Sequence, residues 1–151
     1  MGRIRQGVIV RGSPAEVFDF VTDQTHVPDW NDHVQHVEVV GGGSVKAGSR
    51  LRQHRLRNNR ASDLEFVVTE HEPPSRHVVE GSVFGVLTTM SFLIEAAGDG
   101  TQVTMDARVR GRGLSALLAP IVTREMRKSI IAALEQLRLR LAERTASVAD
   151  R

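Results

Sequence analysis

Six histidines and one arginine-dense run are the residues of this chain best suited to chemistry. His33 and His36 stand three apart in a strand-like segment, and that spacing sends side chains to opposite faces of a strand. His26 adds no ligand spacing, and no His-x-x-x-His pair exists to place two imidazoles on one helical face. The expectation is no metal site, with imidazoles at the surface or partly buried. The chain has no cysteine, which excludes thiolate nucleophiles, disulfides and thiolate-bound metals. Ser13, Ser44, Ser49 and Ser75 sit in caps and turns, not in a Gly-x-Ser-x-Gly elbow. Gly111-Arg112-Gly113 is too short to cradle a phosphate and reads as freedom to turn. No carboxylate pair is spaced for acid/base work, and Asp106 and Arg108 are expected on a solvated face opposite Met105. No catalytic residue and no cofactor is assigned.

The basic run is Arg50-Leu51-Arg52-Gln53-His54-Arg55-Leu56-Arg57, with Arg60 beyond it. Alternation separates Arg50, Arg52 and His54 from Leu51, Gln53 and Arg55. If Leu51 points inward, Gln53 and Arg55 do too. An inward guanidinium is costly unless it is paired or holds an anionic group. The competing reading is a solvated face from which Arg55 snorkels to the rim. The run has no interleaved aromatics, which single-strand platforms use, and the formal charge is only +2; no nucleic-acid partner is expected.

The elements that must position these residues follow from periodicity. Residues 3–11 alternate as a strand. Ser13-Pro14-Ala15-Glu16 opens a helix with a capping serine, a proline at the first helical position and a capping-box glutamate; the helix stops near Thr22. A second short helix, about 23–30, ends at Trp30. Strands are expected over 33–40, 50–57, 62–71, 76–83, 86–96 and 101–110. Between them lie the Gly41–Gly43 loop, the Asn58-Asn59 turn, Pro73-Pro74, Gly85 and the hairpin signal Gly98-Asp99-Gly100. A first turn or two from Leu114 meets Pro120, which is expected to break or restart the helix. From about 121 to 143, Val122, Met126, Ile130, Ala133, Leu134, Leu137 and Leu141 recur at spacings of three and four, a stripe that must be buried. The tail from about 145 is expected to fray into disorder.

Strands joined by short turns give an antiparallel meander, and the long helix is the one element able to cover its apolar face. The fold class is therefore α+β: a curved sheet of about seven strands wrapped around a C-terminal helix, with two short helices after the first strand. One domain spans 1–151. A sheet curved around one helix does not close completely, and the gap suits a ligand. Met1 to Val10 lacks the apolar run of a signal peptide, and no stretch approaches the length of a membrane span, so a cytoplasmic protein without an integral membrane segment is expected.

The segments Ser13-Pro14-Ala15-Glu16-Val17-Phe18-Asp19-Phe20-Val21-Thr22-Asp23, Trp30-Asn31, Val68 to Arg76, Gly98 to Thr104 and the final helix resemble the START-like, or Bet v 1-like, superfamily (SRPBCC). The likeness is to its bacterial polyketide cyclase/dehydrase and lipid-transport group in particular. That resemblance covers nearly the whole chain and implies the helix-grip fold. It does not settle activity, since lipid carriers, receptors, cyclases and co-chaperone-like modules share the scaffold. It also places Trp30 near the cavity mouth, while the plainer reading has Trp30 sealing the core. The candidate ligand-binding residues are Trp30, Leu51, Gln53, Arg55, Phe66, Phe84, Met90, Phe92, Met105, Met126 and Ile130; each apolar one is equally a core residue at its spacing. The expected partner is a small hydrophobic molecule such as a lipid, isoprenoid or polyketide-like compound, and a homodimer stays open. The alternatives are a cyclase or dehydratase steered by Arg55, Gln53 and His54, which the absence of tyrosine disfavours, and a protein-interaction or stress-regulatory module.

Overall fold

The computed structural model describes residues 2–149. Strand β1 (Gly2–Val10) leads into α1 (Pro14–Thr22). The Ser13 hydroxyl accepts a hydrogen bond from the Glu16 N–H at 3.2 Å, and Pro14 occupies the first turn, where an N–H would have no partner. Asp23 then caps a 3-10 turn, Gln24–His26, that runs into α2 (Val27–Trp30). Six strands follow: β2 (Val34–Val39), β3 (Arg50–Arg57), β4 (Arg60–Glu72), β5 (Arg76–Val83), β6 (Val86–Ala97) and β7 (Gly100–Arg110). Asn58 and Asn59 both take positive φ (51° and 61°), the twist a two-residue hairpin requires between β3 and β4.

The seven strands form one antiparallel sheet in the order β1-β7-β6-β5-β4-β3-β2. Consecutive strands β1 and β2 are thus its two opposite edges, so α1 and α2 must cross from one edge to the other and close that end. After a 3-10 turn at Gly113–Leu117 comes α3 (Ala119–Ala149), which lies chiefly against β1, with β7 and α2 beside it. Pro120 does not break this helix. It stands in the first turn, where its missing N–H costs nothing. The expected stripe is the one buried, except that Met126 is only partly covered. Of the tail expected to fray from about 145, residues to Ala149 are helical, and Asp150 and Arg151 lie outside the described residues.

Register divides the sheet into two faces. The inner one carries Ile4, Val8 and Val10 of β1, Val103, Met105 and Ala107 of β7, Met90, Phe92 and Ile94 of β6, and His77 and Val79 of β5. A bulge in β4 between Val68 and Glu70 shifts the alternation by one residue. Val68 and, past the bulge, His71 therefore face inward, and Glu70 turns outward to accept a hydrogen bond from Arg76 Nε at 2.8 Å.

Asp106 corrects an expectation. It lies on the outer face, but it is buried rather than solvated. Its Oδ2 accepts from Arg3 Nη2 at 2.8 Å and from Arg5 Nη1 at 3.0 Å. These hydrogen bonds, with Arg3's charge, hold its pKa below the usual carboxylate range against the opposing effect of burial. Both arginines are more than half exposed, so water screens much of the attraction. Asp106→Asn is expected to lower the melting temperature by a few degrees, and by less in high salt. Thermal unfolding at two ionic strengths checks this.

Candidate functional site

The inner face is unevenly covered, and that unevenness defines the site. Toward α1 it is packed solid: Val68, His77, Phe92, Ile94, Val103 and Met105 are buried, as are Ile130, Ala133, Leu134 and Leu137 of α3. Toward the Asn58-Asn59 and Phe84-Gly85 turns it is not. Gln53, Arg55, Leu64, Phe66, Val79, Gly81, Val83 and Met90 face inward by register yet are only half-buried, and so is Met126 on α3. Solvent therefore reaches apolar side chains that a closed core would cover. This least-covered stretch of the inner face, between β3–β6 and the first half of α3 and away from α1, is the candidate cleft.

Local sequence explains its shape. Gly81 lies opposite Phe66, and a Cβ on it would come within 2.6 Å of the Phe66 ring and of the Glu65 carbonyl. The glycine lets Phe66 lie across the sheet as a flat wall. Leu51 is buried next to Phe66, and beyond it β3 carries Gln53, Arg55 and Arg57 inward. Arg57 reaches across the open end to form an ion pair with Glu125 of α3. Arg55 makes no side-chain hydrogen bond or ion pair among the described residues, and burial, with Arg57 close by, pulls its guanidinium pKa below the ordinary value. Of the two readings of the basic run, the inward one holds for the direction of Arg55. Its half-burial leaves the charge in the cleft, free to meet a polar or anionic group.

Leu51, Gln53, Arg55, Phe66 and Met90 share the inner face by register, Leu51 buried and the others half-buried, and Met126 is half-buried on α3. Phe92, Met105 and Ile130 are buried in the core toward α1. Trp30 is buried too, edge-on to Phe92 at 6.1 Å between ring centroids, so it seals the core and does not stand at a mouth. Its Nε1 is a buried donor with no acceptor among the described residues. Phe84 is a correction. It sits in the β5–β6 turn at φ 52° and projects into solvent, so it is no cleft wall. His54 is likewise separated from Gln53 and Arg55. It lies on the outer face, with Nδ1 2.8 Å from Asp63 and its ring stacked on His36.

Sequence reasoning missed one constellation. His71 and His77 meet Nδ1 to Nδ1 at 3.0 Å beneath Phe18, with Phe92 on the far side. Burial, and next the neighbouring His71, pull the His77 pKa down to about 4, and burial lowers that of His71. The sequence signal was present in His77 alternating with Arg76. The β4 bulge that turns His71 inward leaves no mark in the alternation. Among the described residues no three His, Asp or Glu side chains come together as a metal-binding group.

Two depressions lie outside the cleft. One, of about 380 Å³, is on the outer face around Asp106, Arg3, Arg5 and Arg76. The other, of about 530 Å³, lies between α1 and the end of α3, near Phe20, His26 and Arg144. The first is lined mostly by charged groups, of which Arg3, Arg5 and Asp106, and Arg76 and Glu70, form ion pairs; the second sets charged side chains around the apolar surface of Phe20 and Leu141.

A sheet gripping a C-terminal helix, closed at one end by two short helices, is the Bet v 1-like helix-grip architecture. The chain belongs to the family described as polyketide cyclase / dehydrase and lipid transport, whose model matches residues 1–142. Its fold is similar to that of Ara h 8.0201 (TM-score 0.77, 14% identity, covering 94% of this chain and 98% of that one). It is also similar to a START superfamily protein from Mycobacterium smegmatis (TM-score 0.74, 15% identity, 93% and 97%). The di-domain ARO/CYC StfQ of the steffimycin biosynthetic pathway matches as well (TM-score 0.79, 11% identity), with 95% of this chain aligned to 51% of that one. No curated protein matches the sequence. Among the described residues no helix is long and apolar enough to cross a membrane.

Proposed function

We propose that the protein binds or carries a small hydrophobic molecule, of lipid, isoprenoid or polyketide-like character, in the cleft between β3–β6 and α3, and that it does so in the cytoplasm. The observation that supports this is the partly exposed apolar surface of Phe66, Val79, Met90 and Met126, set inside the grip rather than on its outside. Burying about 200 Å² of apolar ligand surface there contributes about 5 kcal/mol before association costs, enough for micromolar binding without catalysis. Methionine on both walls lets the lining adapt to the ligand. Arg55 and Gln53 orient its polar end.

A cyclase would need groups converging on one reacting atom. Arg55 is the one charged side chain that register places among the half-buried cleft walls, and His54 is on the other face, so carriage is the better-supported reading. Met90→Trp fills the cleft from β6 and is expected to weaken uptake of an apolar fluorescent probe by about tenfold while leaving the circular dichroism spectrum unchanged. Emission of the bound probe is the measurement. Saturable binding with the same affinity in the variant would place the probe elsewhere and sink the cleft as its site.

A further inference from the structure

The open end of the cleft is rimmed by apolar side chains that the fold does not use. Phe84 is 81% exposed, Leu114 86%, Leu117 74% and Ile121 60%. Leu114, Leu117, Leu118 and Ile121 recur at spacings of three and four, the mark of an apolar helical stripe. Yet the other side of this segment is the one that packs: Ala119 and Val122 are buried against Val86 and Val109. The stripe therefore points outward. The β5–β6 turn abuts it, for a Cβ on Gly85 would stand 3.7 Å from the Ser115 Cβ, and this brings Phe84 alongside. Phe84 holds a positive φ that costs a non-glycine residue free energy, and it does so with its ring in water. Soluble monomers rarely leave so contiguous an apolar patch uncovered unless something binds there.

Charge indicates what binds. From Ala107 to Arg124 the chain carries Arg108, Arg110, Arg112 and Arg124 and not one Asp or Glu. Arg110, Arg112 and Arg124 are exposed. The neighbouring acid, Glu125, is taken up by Arg57 and Lys128. Exposed apolar side chains among cations without nearby free acids are the composition of a segment that lies in the interface of an anionic bilayer.

We propose that this tip, formed by the β5–β6 turn, the Gly113–Leu117 turn and the start of α3, docks onto an anionic lipid bilayer. Phe84, Leu114, Leu117 and Ile121 enter the headgroup boundary, and Arg110, Arg112 and Arg124 meet the lipid phosphates. Docked in this way, the cleft opens toward the bilayer, and an apolar molecule passes between them without crossing water. That last consequence rests on the proposed function; the docking does not.

Cosedimentation of the full chain with phosphatidylcholine vesicles, with and without phosphatidylglycerol, tests the proposal. Binding is expected only when phosphatidylglycerol is present, and it should weaken as salt rises. Arg112→Ala and Arg124→Ala are each expected to weaken it about fivefold. The double variant Leu114→Ser, Leu117→Ser is expected to weaken it at least about tenfold, with circular dichroism and probe uptake in solution unchanged. Absence of binding to either vesicle would overturn the proposal, as would equal binding by the double serine variant. So would a concentration-dependent dimer in sedimentation velocity that the serine substitutions abolish, since the patch would then be a contact between two copies. Probe uptake is measured without vesicles, so failure of docking and failure of the cleft reading are separately visible.

Discussion

Leu137→Asp is expected to abolish the cooperative native state. Leu137 is 1% exposed and stands in the middle of the α3 stripe that fills the grip, between Leu134 and Leu141. The substitution removes most of a leucine's burial, leaves a void, and places a carboxylate in the apolar core. The first two effects cost about 2–5 kcal/mol on the evidence of leucine-to-alanine changes in other cores. The third adds several more, or forces protonation at a comparable cost. Domains of this size have about 5–15 kcal/mol to lose. Leu137→Ala, which lacks the charge, is expected to stay folded with a lower urea midpoint. Leu139→Asp, two residues on and exposed, is expected to change stability by less than about 0.5 kcal/mol. Urea titration followed by circular dichroism separates the three. A Leu137→Asp variant with the parent's midpoint would mean that α3 does not present this face to the sheet.

That face was legible because helical and strand periodicities are local, and local patterns survive without knowledge of partners. The alternation of β3 told which residues travel with Leu51, and the register confirms that Gln53 and Arg55 share its face. What stayed hidden was non-local. Asp106 looks solvated from its own strand. Its burial depends on Arg3 and Arg5, about a hundred residues earlier, being the next strand over. Phe84 looks like one more alternating hydrophobe, but the turn falls on it as well as on Gly85, and the left-handed backbone carries the ring out of the cleft. Pro120 reads as a breaker when the helix is started at Leu114 and as a first-turn residue when it starts at Ala119. His71 is hidden by the extra residue of a bulge.

The cleft follows from the same topology. Because β1 and β2 are opposite edges, α1 and α2 are obliged to cross one end of the sheet, while the other is covered on the β6–β7 side by the start of α3, where Ala119 and Val122 pack on Val86 and Val109. The long helix lies mainly against the β1 side, which leaves β3, β4 and β5 as the strands it covers least. Valines and a glycine on β5, and methionines on β6 and α3, lie along this stretch and are only partly buried.

Acidification is expected to destabilise the protein through His77, and the window is set by its pKa. In the unfolded chain a histidine titrates near 6.5; in the native state His77, 2% exposed, is held down to about 4 by burial and by His71. Between those two values the unfolded chain binds a proton that the native protein refuses, so falling pH favours unfolding. The stability His77 confers as a neutral ring is fully present above about pH 6.5 and is lost progressively toward pH 4. The loss amounts to about 3 kcal/mol, and His71, shifted in the same direction, adds to it. The carboxylates contribute only at the bottom of this range. Asp23, Asp106, Glu125 and Glu135 are all lowered by hydrogen bonds from their partners. Their stabilisation is complete well above their ordinary values, 3.8 for aspartate and 4.5 for glutamate, and is lost as pH falls through and below them. Urea unfolding of the parent between about pH 7 and pH 4.5 is expected to show a steady fall in free energy. His77→Leu replaces the ring with an apolar side chain of similar volume and is expected to flatten that slope while keeping the neutral-pH fold. Equal slopes in parent and variant would show that the proton goes elsewhere, and that the contact between His71 and His77 is a packing detail with no hold on stability.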